Sequence, residues 1–278
     1  MAIMVAGGRI IGSQKKTGIG ASLSGNFDKF QMDVTAKYEV GALIETANGD
    51  RFRYAQFDAD TNRGVLVAQD FSQVSVVDTD NVVIAPASAV AVSFEPMKPG
   101  ALGSTVAQVT LAARTLNQFA GAKLIITDDT GEGYTYDIVG NTATDTPASG
   151  DIYVFLKQKL QVALTTTSDL SIIANRWNNL EVATFGTDGV VSGVTCAQMV
   201  VGTAAFGWVQ TKGICGVLQD VTVPGVGAPV QLSAATSGAV AASFLAGTVG
   251  LLLKTRIVGY CVDAGDSTGH TSVDLILE

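Results

Sequence analysis

The most regular pattern in the chain is an alternation of apolar and polar side chains from residue 152 to residue 164. The apolar members occupy even positions, while Lys157 and Lys159 fall between them: Ile152, Val154, Leu156, Leu160, Val162 and Leu164. A period of two is that of a strand that buries one face. The pattern therefore predicts one long, half-buried strand over 152–164.

A second signal is the pair Asn48-Gly49, which lies between strand-like runs at 38–44 and 51–56. In the second run Phe52 and Tyr54 alternate with arginines. Asn-Gly is typical of a type I′ turn, because both central residues of that turn need positive φ. We therefore expect a β-hairpin with a type I′ turn at this place.

Short runs of β-branched, aromatic and aliphatic residues predict most of the remaining structure. These runs are found at 74–77, 82–85, 123–127, 134–139, 171–173, 180–183, 194–201, 206–210, 214–218, 229–232, 257–262 and 273–277, and the turn 128–133 joins two of them into a hairpin. The segment 106–119 is different, because its apolar residues lie near helical spacing. It could form a short helix, although Thr110 and Thr115 weigh against one.

Together these patterns predict an all-β protein of antiparallel hairpins in sandwich-like or barrel-like units, with at most one or two short helices. A length of 278 residues allows one or two domains. We expect an extended N-terminal arm at 1–25, a first β-rich unit at 26–120 and a second β-rich unit at 121–278. The arm is expected because 1–25 is rich in Gly, Ser and Lys without a sustained period, and a frayed terminus would explain the same composition.

Charge is scarce along the chain. Only 15% of residues are charged and 47% are apolar, and the stretches 189–211 and 221–253 carry no charged side chain at all. Such stretches indicate subunit contacts, because a monomer must cover its surface with polar groups. The net charge of −8 argues against nucleic acid as a partner, and no apolar run reaches the roughly 20 residues of a membrane span. Cys196, Cys215 and Cys261 fit no ligand spacing and are expected to be buried thiols.

One stretch of the sequence begins like a calcium-binding EF-hand loop. Asp58, Asp60 and Asn62 occupy alternate positions, as the first oxygen ligands of that loop do. Gly64, however, comes one place too late for the sharp turn, and Gln69 stands where a bidentate Glu is needed. A solvated hairpin loop is the better interpretation.

Catalytic patterns are equally weak. His270 is the only histidine, and it follows a loop whose residues 265–269 spell Gly-x-Ser-x-Gly. The next predicted element is the strand at 273–277 and not the helix that a nucleophile elbow needs, which disfavours both a Ser-His-Asp triad and a dyad of His270 with Cys215. The candidates for acid–base chemistry are two carboxylate pairs, for which acidic turns are the simpler interpretation: Asp128 with Asp129, and Asp137 with Asp151. We therefore expect no catalytic residue, cofactor, metal ion or small-molecule substrate, and thus no enzyme.

Five short phrases follow one another along the chain: Tyr-Glu-Val-Gly at 38–41, Gly-Asp-Arg-Phe-Arg-Tyr-Ala at 49–55, Leu-Gln-Val-Ala-Leu at 160–164, Phe-Gly-Trp-Val-Gln-Thr-Lys-Gly at 206–213 and Val-Gly-Tyr-Cys at 258–261. Their order and spacing resemble the head decoration proteins of tailed phages, also called auxiliary or cement proteins. In that family an edge strand reads roughly G-x-x-Y/F-R-Y-x and a later strand reads Y/F-G-W-V-Q-x-K/R-G. The resemblance extends over about residues 25–278.

This resemblance implies a homotrimeric structural protein of the virion, made in the host cytoplasm and seated on the exterior of the capsid. The partner would be the major capsid protein, and the trimer would stabilise the shell at junctions between capsomers against the pressure of the genome. Two other functions stay open. One is another virion protein, such as a tail or major shell subunit, and the other is a β-sandwich carbohydrate-binding module or enzyme.

Five residues are candidates for subunit or capsid contacts: Lys15, Lys16, Phe52, Tyr54 and Trp208. The two lysines belong to the predicted arm, and aromatic residues are enriched at protein interfaces. Tyr54 and Trp208 also suit a place in the core, because a strand buries alternate residues whatever its partner.

Overall fold

The computed structural model describes the backbone of residues 4–5 and 8–10, and residues 27–69, 100–112, 114–144, 149–165, 168–185, 190–202, 205–221, 224–243, 257–265 and 269–278. Within these ranges the chain forms eighteen β-strands and no helix, so the predicted all-β class is confirmed. The strands are β1 (Met4–Val5), β2 (Gly8–Ile10), β3 (Met32–Asp33), β4 (Leu43–Thr46), β5 (Arg51–Gln56), β6 (Leu66–Gln69), β7 (Val106–Ala112), β8 (Lys123–Asp128), β9 (Thr135–Asn141), β10 (Ser149–Leu156), β11 (Asp169–Ile173), β12 (Leu180–Val182), β13 (Val191–Thr195), β14 (Phe206–Leu218), β15 (Pro229–Leu232), β16 (Val240–Ala242), β17 (Ile257–Asp263) and β18 (His270–Ile276).

The chain divides into two compact units. Unit 1 combines residues 1–70 with residues 176–278, and unit 2 consists of residues 71–175. This division differs from the predicted boundary at residue 120, because β6 pairs with β12 and β13 and β5 pairs with β14. Such long-range pairing leaves no local signal in the sequence. Of the predicted arm at 1–25, only β1 and β2 are described, and β2 pairs with β4 of unit 1.

In its described part, unit 1 is a single antiparallel sheet of thirteen strands with β14 at its centre. Its main path runs β1-β2-β4-β5-β14-β18-β17-β15-β16, while β3 and β13 also pair with β14, and β6 and β12 extend the sheet beyond β13. The segments predicted as strands at 206–210 and 214–218 are both confirmed, but they form one continuous strand. Its first half pairs with β5 and its second half with β18.

A bulge between the two halves of β14 changes the partners of the strand. Gly213 has a φ of +90°, and a Cβ atom at this position would overlap the carboxylate of Asp50. The buried side-chain amide of Gln210 donates hydrogen bonds to the carbonyl oxygens of Lys212 (3.1 Å) and Ile214 (3.3 Å). Gln210 therefore satisfies backbone acceptors where the strand leaves β5, and such buried groups are costly when left unpaired.

The predicted hairpin at Asn48-Gly49 is confirmed as β4–β5, but its turn is of another type. Gly49 has a φ of +89°, whereas Asn48 is not among the residues with positive φ. Hydrogen bonds run from Thr46 N to Asp50 O (2.9 Å) and from Gly49 N to Thr46 O (3.0 Å). The expected type I′ turn is therefore wrong, because a three-residue loop that ends in a left-handed glycine needs positive φ at only one position.

The residues of unit 2 that the structure describes form a five-stranded antiparallel sheet in the order β11-β8-β9-β10-β7. The predicted hairpin of 123–127 with 134–139 is confirmed as β8–β9. The segment 106–119 does not form a helix but begins with β7, in which Ala107, Val109 and Leu111 are buried at a period of two against β10. The helical spacing was misleading because it combined alternate strand residues with residues of the following turns.

The strand predicted over 152–164 is confirmed only as far as Leu156, where β10 ends. Leu160 and Leu164 remain buried, at 1% and 7% exposure, although they lie outside any regular strand. Leu160 N donates to Ser104 O (2.7 Å) and Leu164 N to Gly100 O (2.8 Å). Alternate burial thus continues because the segment 160–164 runs beside the loop at 100–104. Periodicity alone cannot distinguish such an irregular pairing from a regular β-ladder.

Most of the other predicted strands are confirmed, at 171–173, 180–183, 229–232, 257–262 and 273–277. The run at 194–201 is a strand only to Thr195, since β13 ends there. The runs at 74–77 and 82–85 lie outside the described residues.

Candidate functional site

The aromatic residues predicted from the sequence lie together in unit 1. Tyr54 of β5 is directly opposite Trp208 of β14, and Gln210 is opposite Phe52. The two phrases at 49–55 and 206–213 are therefore paired across one ladder. Phe52, Tyr54 and Trp208 are 2%, 0% and 1% exposed, which is the burial of core residues.

These side chains form an aromatic cluster with the rings of neighbouring residues. Trp208 lies 5.1 Å from Tyr54, 5.3 Å from Phe27 and 5.4 Å from Tyr38 between ring centroids. The contacts with Tyr54 and Phe27 are edge-to-face and that with Tyr38 is tilted, and aromatic pairs at such distances stabilise beyond simple burial. Contacts of Phe52, Tyr54 and Trp208 with another chain stay a prediction. Because these side chains are buried, another chain would contact exposed residues near them and not the rings themselves. Lys15 and Lys16 lie outside the described residues.

The buried carboxylate of Asp33, which the sequence patterns did not indicate, accepts a hydrogen bond from this cluster. The Tyr54 hydroxyl donates to Asp33 Oδ2 (2.8 Å), the Gln31 amide donates to both Asp33 oxygens (3.1 and 3.0 Å), and Lys37 Nζ lies 2.5 Å from Asp33 Oδ1. Burial acts to raise the pKa of Asp33, but the hydrogen bonds from Lys37, Gln31 and Tyr54 outweigh it and hold the pKa below its usual value. Burial also raises the pKa of Tyr54, so the hydroxyl stays a donor.

Two adjoining recesses open on unit 1 where β13, β14 and β18 meet the start of β6. Their volumes are about 340 Å³ and 650 Å³. Both are lined by Phe30, Arg63, Cys196 and His270, and Lys29 lines the smaller one. We call the two together the cationic recess, after Lys29 and Arg63. None of the described residues that line it is Asp or Glu.

The structure brings Cys215 and His270 to the same recess, which gives the disfavoured dyad some basis in space. Its chemistry is poor, however. Burial raises the pKa of Cys196 to about 12 and raises that of Cys215 as well, so both sulfurs are protonated thiols at neutral pH. The nucleophile in thiol chemistry is the thiolate. Of the predicted buried thiols, Cys261 is fully buried, whereas Cys196 and Cys215 are half-buried.

The carboxylates considered for metal or acid–base chemistry have structural partners instead. Asp60 Oδ1 accepts from the backbone N of Val201 (2.8 Å), and Asp151 accepts from Gln108 (2.8 Å). Asp137 is paired with Lys123, and that hydrogen bond together with one from the Gln158 amide lowers its pKa. No group of three His, Cys, Asp or Glu side chains is placed to hold a metal ion among the described residues.

The side of the sheet formed by β14, β18 and β17 exposes apolar residues. Ile214 lies opposite Asp274, which in turn lies opposite Tyr260, and Lys212 lies opposite Ile276. Residues directly opposite in a sheet point to the same face. We call these five residues the outer face. Ile214, Ile276 and Tyr260 are 59%, 47% and 45% exposed.

Comparison of the chain with protein-family models, with characterised proteins and with solved structures found no match. In the ranges that the structure describes, no helix is long and apolar enough to cross a membrane.

Proposed function

We propose that this chain is a structural protein of a tailed-phage virion: a decoration protein that binds the assembled head shell as a homotrimer and stabilises it. The observation that carries the proposal is the outer face, where Ile214, Ile276 and Tyr260 are exposed on neighbouring strands. Exposed apolar side chains grouped on one face, here around Lys212 and Asp274, are typical of interaction sites. The outer face would form the contact between subunits of the trimer.

The resemblance to decoration proteins supports the same function. Four of the five phrases, at 38–41, 49–55, 206–213 and 258–261, belong to unit 1. The phrase at 206–213 forms the first part of β14, and Ile214 of the outer face follows it immediately. One of the phrases that carry the resemblance is thus adjacent in sequence to the outer face.

The mechanism of a decoration protein is mass action. A ligand that binds only one state of the shell stabilises that state by RT ln(1 + [L]/Kd) at each site. Three linked copies raise the avidity, because the second and third contacts become intramolecular. Such a function needs a durable folded unit and a surface complementary to the shell, without chemical catalysis.

The first test measures the native mass by light scattering after size exclusion. We expect a mass near three times the 28.6 kDa of one chain, independent of concentration. Ile214→Asp should reduce the mass to that of one chain. Val139→Asp is the matched control, because Val139 is 61% exposed and lies in unit 2. A single-chain mass for the wild type at every concentration would contradict the trimer.

The second test is co-sedimentation of the trimer with undecorated head shells of the phage of origin. We expect saturable binding that raises the temperature at which the shells open. A wild type that fails to bind shells but binds glycans at millimolar or lower concentration would instead favour the carbohydrate-binding module.

A further inference from the structure

We propose that the cationic recess is a carboxylate-binding site, which an acidic side chain of a neighbouring copy of this chain occupies in the assembled oligomer. The inference rests on the proposed function for the existence of the oligomer, and it adds the chemistry of one contact within it.

The charges around the recess are unbalanced. Lys29 and Arg63 line it, and neither forms an ion pair within the part of the chain that the structure describes. The chain as a whole has 25 acidic and 17 basic residues. Two cations and an imidazole, with no Asp or Glu among the described lining residues, therefore form a local positive site on an acidic molecule, and such a site attracts anions.

The apolar lining adds to this electrostatic preference. Phe30 and Met32 border the recess and are 58% and 49% exposed. Lys29 Nζ lies 5.2 Å from the centroid of the Phe30 ring and 6.0 Å from that of Phe52, within the range of cation–π contact. These contacts hold the ammonium group over the aromatic rings near the recess. An ion pair covered by such side chains is screened less by water than one on an open surface.

The position of the recess indicates a second copy as the source of the carboxylate. Beyond the outer face, the next pair on the same side of β14 and β18 is Gly216 with Ser272, and the pair after it is Leu218 with His270. Gly216 and His270 line the recess, so the outer face continues into it. His270 is four residues from Asp274, which is about 14 Å along a strand. A subunit packed on the outer face therefore reaches the recess.

The charge of that neighbour is complementary to the recess. Each copy has a net charge of −8. This overall charge repels a long polyanion such as nucleic acid. A single carboxylate carried by a docked subunit is affected mainly by the nearby Lys29 and Arg63, because screening limits the range of the other charges.

A zero-length carbodiimide cross-link tests the contact directly, because this reagent joins a lysine amine only to a carboxylate in contact with it. Cross-linked oligomer is separated on a denaturing gel, and peptides from the bands of one and two chain masses are compared by mass spectrometry. We expect a peptide that joins Lys29 to an Asp or Glu in the double-mass band and not in the single-mass band. Lys29→Arg keeps the charge but removes the amine, so it should abolish this peptide and leave the oligomer intact.

Charge reversal tests the energetics. Arg63→Glu should weaken the oligomer by about tenfold or more in dissociation constant at an ionic strength of about 0.1 M, because it places like charges together. Lys159→Glu is the matched control, with the same change in charge on an exposed residue of unit 2, and it should leave the constant within about twofold. Near-UV circular dichroism checks that both variants are folded.

The outcomes separate the two proposals. A wild-type trimer that shows no Lys29 peptide in the double-mass band, and whose stability Arg63→Glu leaves unchanged, would overturn the carboxylate site but leave the decoration function standing. A wild type of single-chain mass would contradict the proposed function itself. Binding of a short oligonucleotide that is lost in Arg63→Glu would assign the recess to phosphate and likewise overturn the inference.

Discussion

Replacement of Asp33 by Asn should destabilise unit 1, and the effect should depend on pH. The substitution keeps the shape of the side chain but removes the negative charge that Tyr54, Gln31 and Lys37 contact. One carboxylate oxygen becomes an amide nitrogen, which cannot accept a hydrogen bond. The hydrogen bonds that remain are made to a neutral amide oxygen and are weaker than those to the carboxylate.

The magnitude follows from the burial of the groups. The Asp33 side chain is 1% exposed, so the hydrogen bond from the Tyr54 hydroxyl is made away from water. Hydrogen bonds to charged groups contribute about 1.5–3 kcal/mol each. The side chain of Lys37 is 58% exposed, so its ion pair adds little. We expect a loss of about 2–3 kcal/mol in the free energy of unfolding at pH 7.

The sign of the pH dependence follows from the lowered pKa of Asp33 in the folded chain. Such a group contributes its full stability above its unfolded pKa of about 3.9, and that contribution is lost as the pH falls through the folded pKa. The wild type and Asp33→Asn should therefore differ by a constant amount from about pH 5 to pH 7 and converge below about pH 4.

Urea unfolding followed by tryptophan fluorescence is the appropriate assay. The chain has two tryptophans, Trp177 and Trp208, and both belong to unit 1. Asp137→Asn is the control, because it removes a more exposed ion pair in unit 2 and should leave this signal within about 0.5 kcal/mol of the wild type. A difference between wild type and Asp33→Asn below about 0.5 kcal/mol at pH 7, or one of equal size at pH 3, would refute the reasoning.

Two further predictions concern β14 and the thiols beside it. Gly213→Ala should destabilise unit 1 by about 1–3 kcal/mol in the same assay, because of the positive φ and the clash with Asp50, whereas Gly216→Ala has free space around its new methyl group and should be nearly neutral. Equal effects of the two substitutions would contradict the strained bulge. Cys196 and Cys215 should react with a thiol reagent at pH 8 much more slowly in the folded chain than in urea, because their raised pKa values leave little thiolate. Equal rates in both conditions would show that the two sulfurs are not shielded.

The sequence patterns were informative where structure is local. The hairpins β4–β5 and β8–β9 were predictable, since each combines a turn with two neighbouring apolar runs. The turn type was not, because Asn-Gly serves both a type I′ turn and a loop that ends in a left-handed glycine. Nor was the end of β10, because residues 160–164 keep alternate burial without ladder hydrogen bonds.

The candidate site was less predictable than the fold. Phe52, Tyr54 and Trp208 could be selected as notable aromatic residues, but their contact with one another depends on a pairing between distant segments. Gln210 lies within the phrase at 206–213, yet its role requires the bulge that frees two carbonyl groups. Asp33 belongs to no recognised motif. Gln31 is two residues away in the sequence, but the buried partner Tyr54 is brought to Asp33 only by the folded sheet.

The insertion of unit 2 within unit 1 has a consequence for the order of folding. All five strands of the unit 2 sheet come from residues 71–175, so this sheet can form as soon as that stretch has left the ribosome. The sheet of unit 1 cannot be completed until β14 and β18 have been synthesised. A folded unit 2 then fixes the chain from β7 to β11, which shortens the flexible loop that must close when β6 joins β12 and β13 and so lowers its entropic cost. Mutations that slow the folding of unit 2 should therefore delay the assembly of a sheet to which they do not belong.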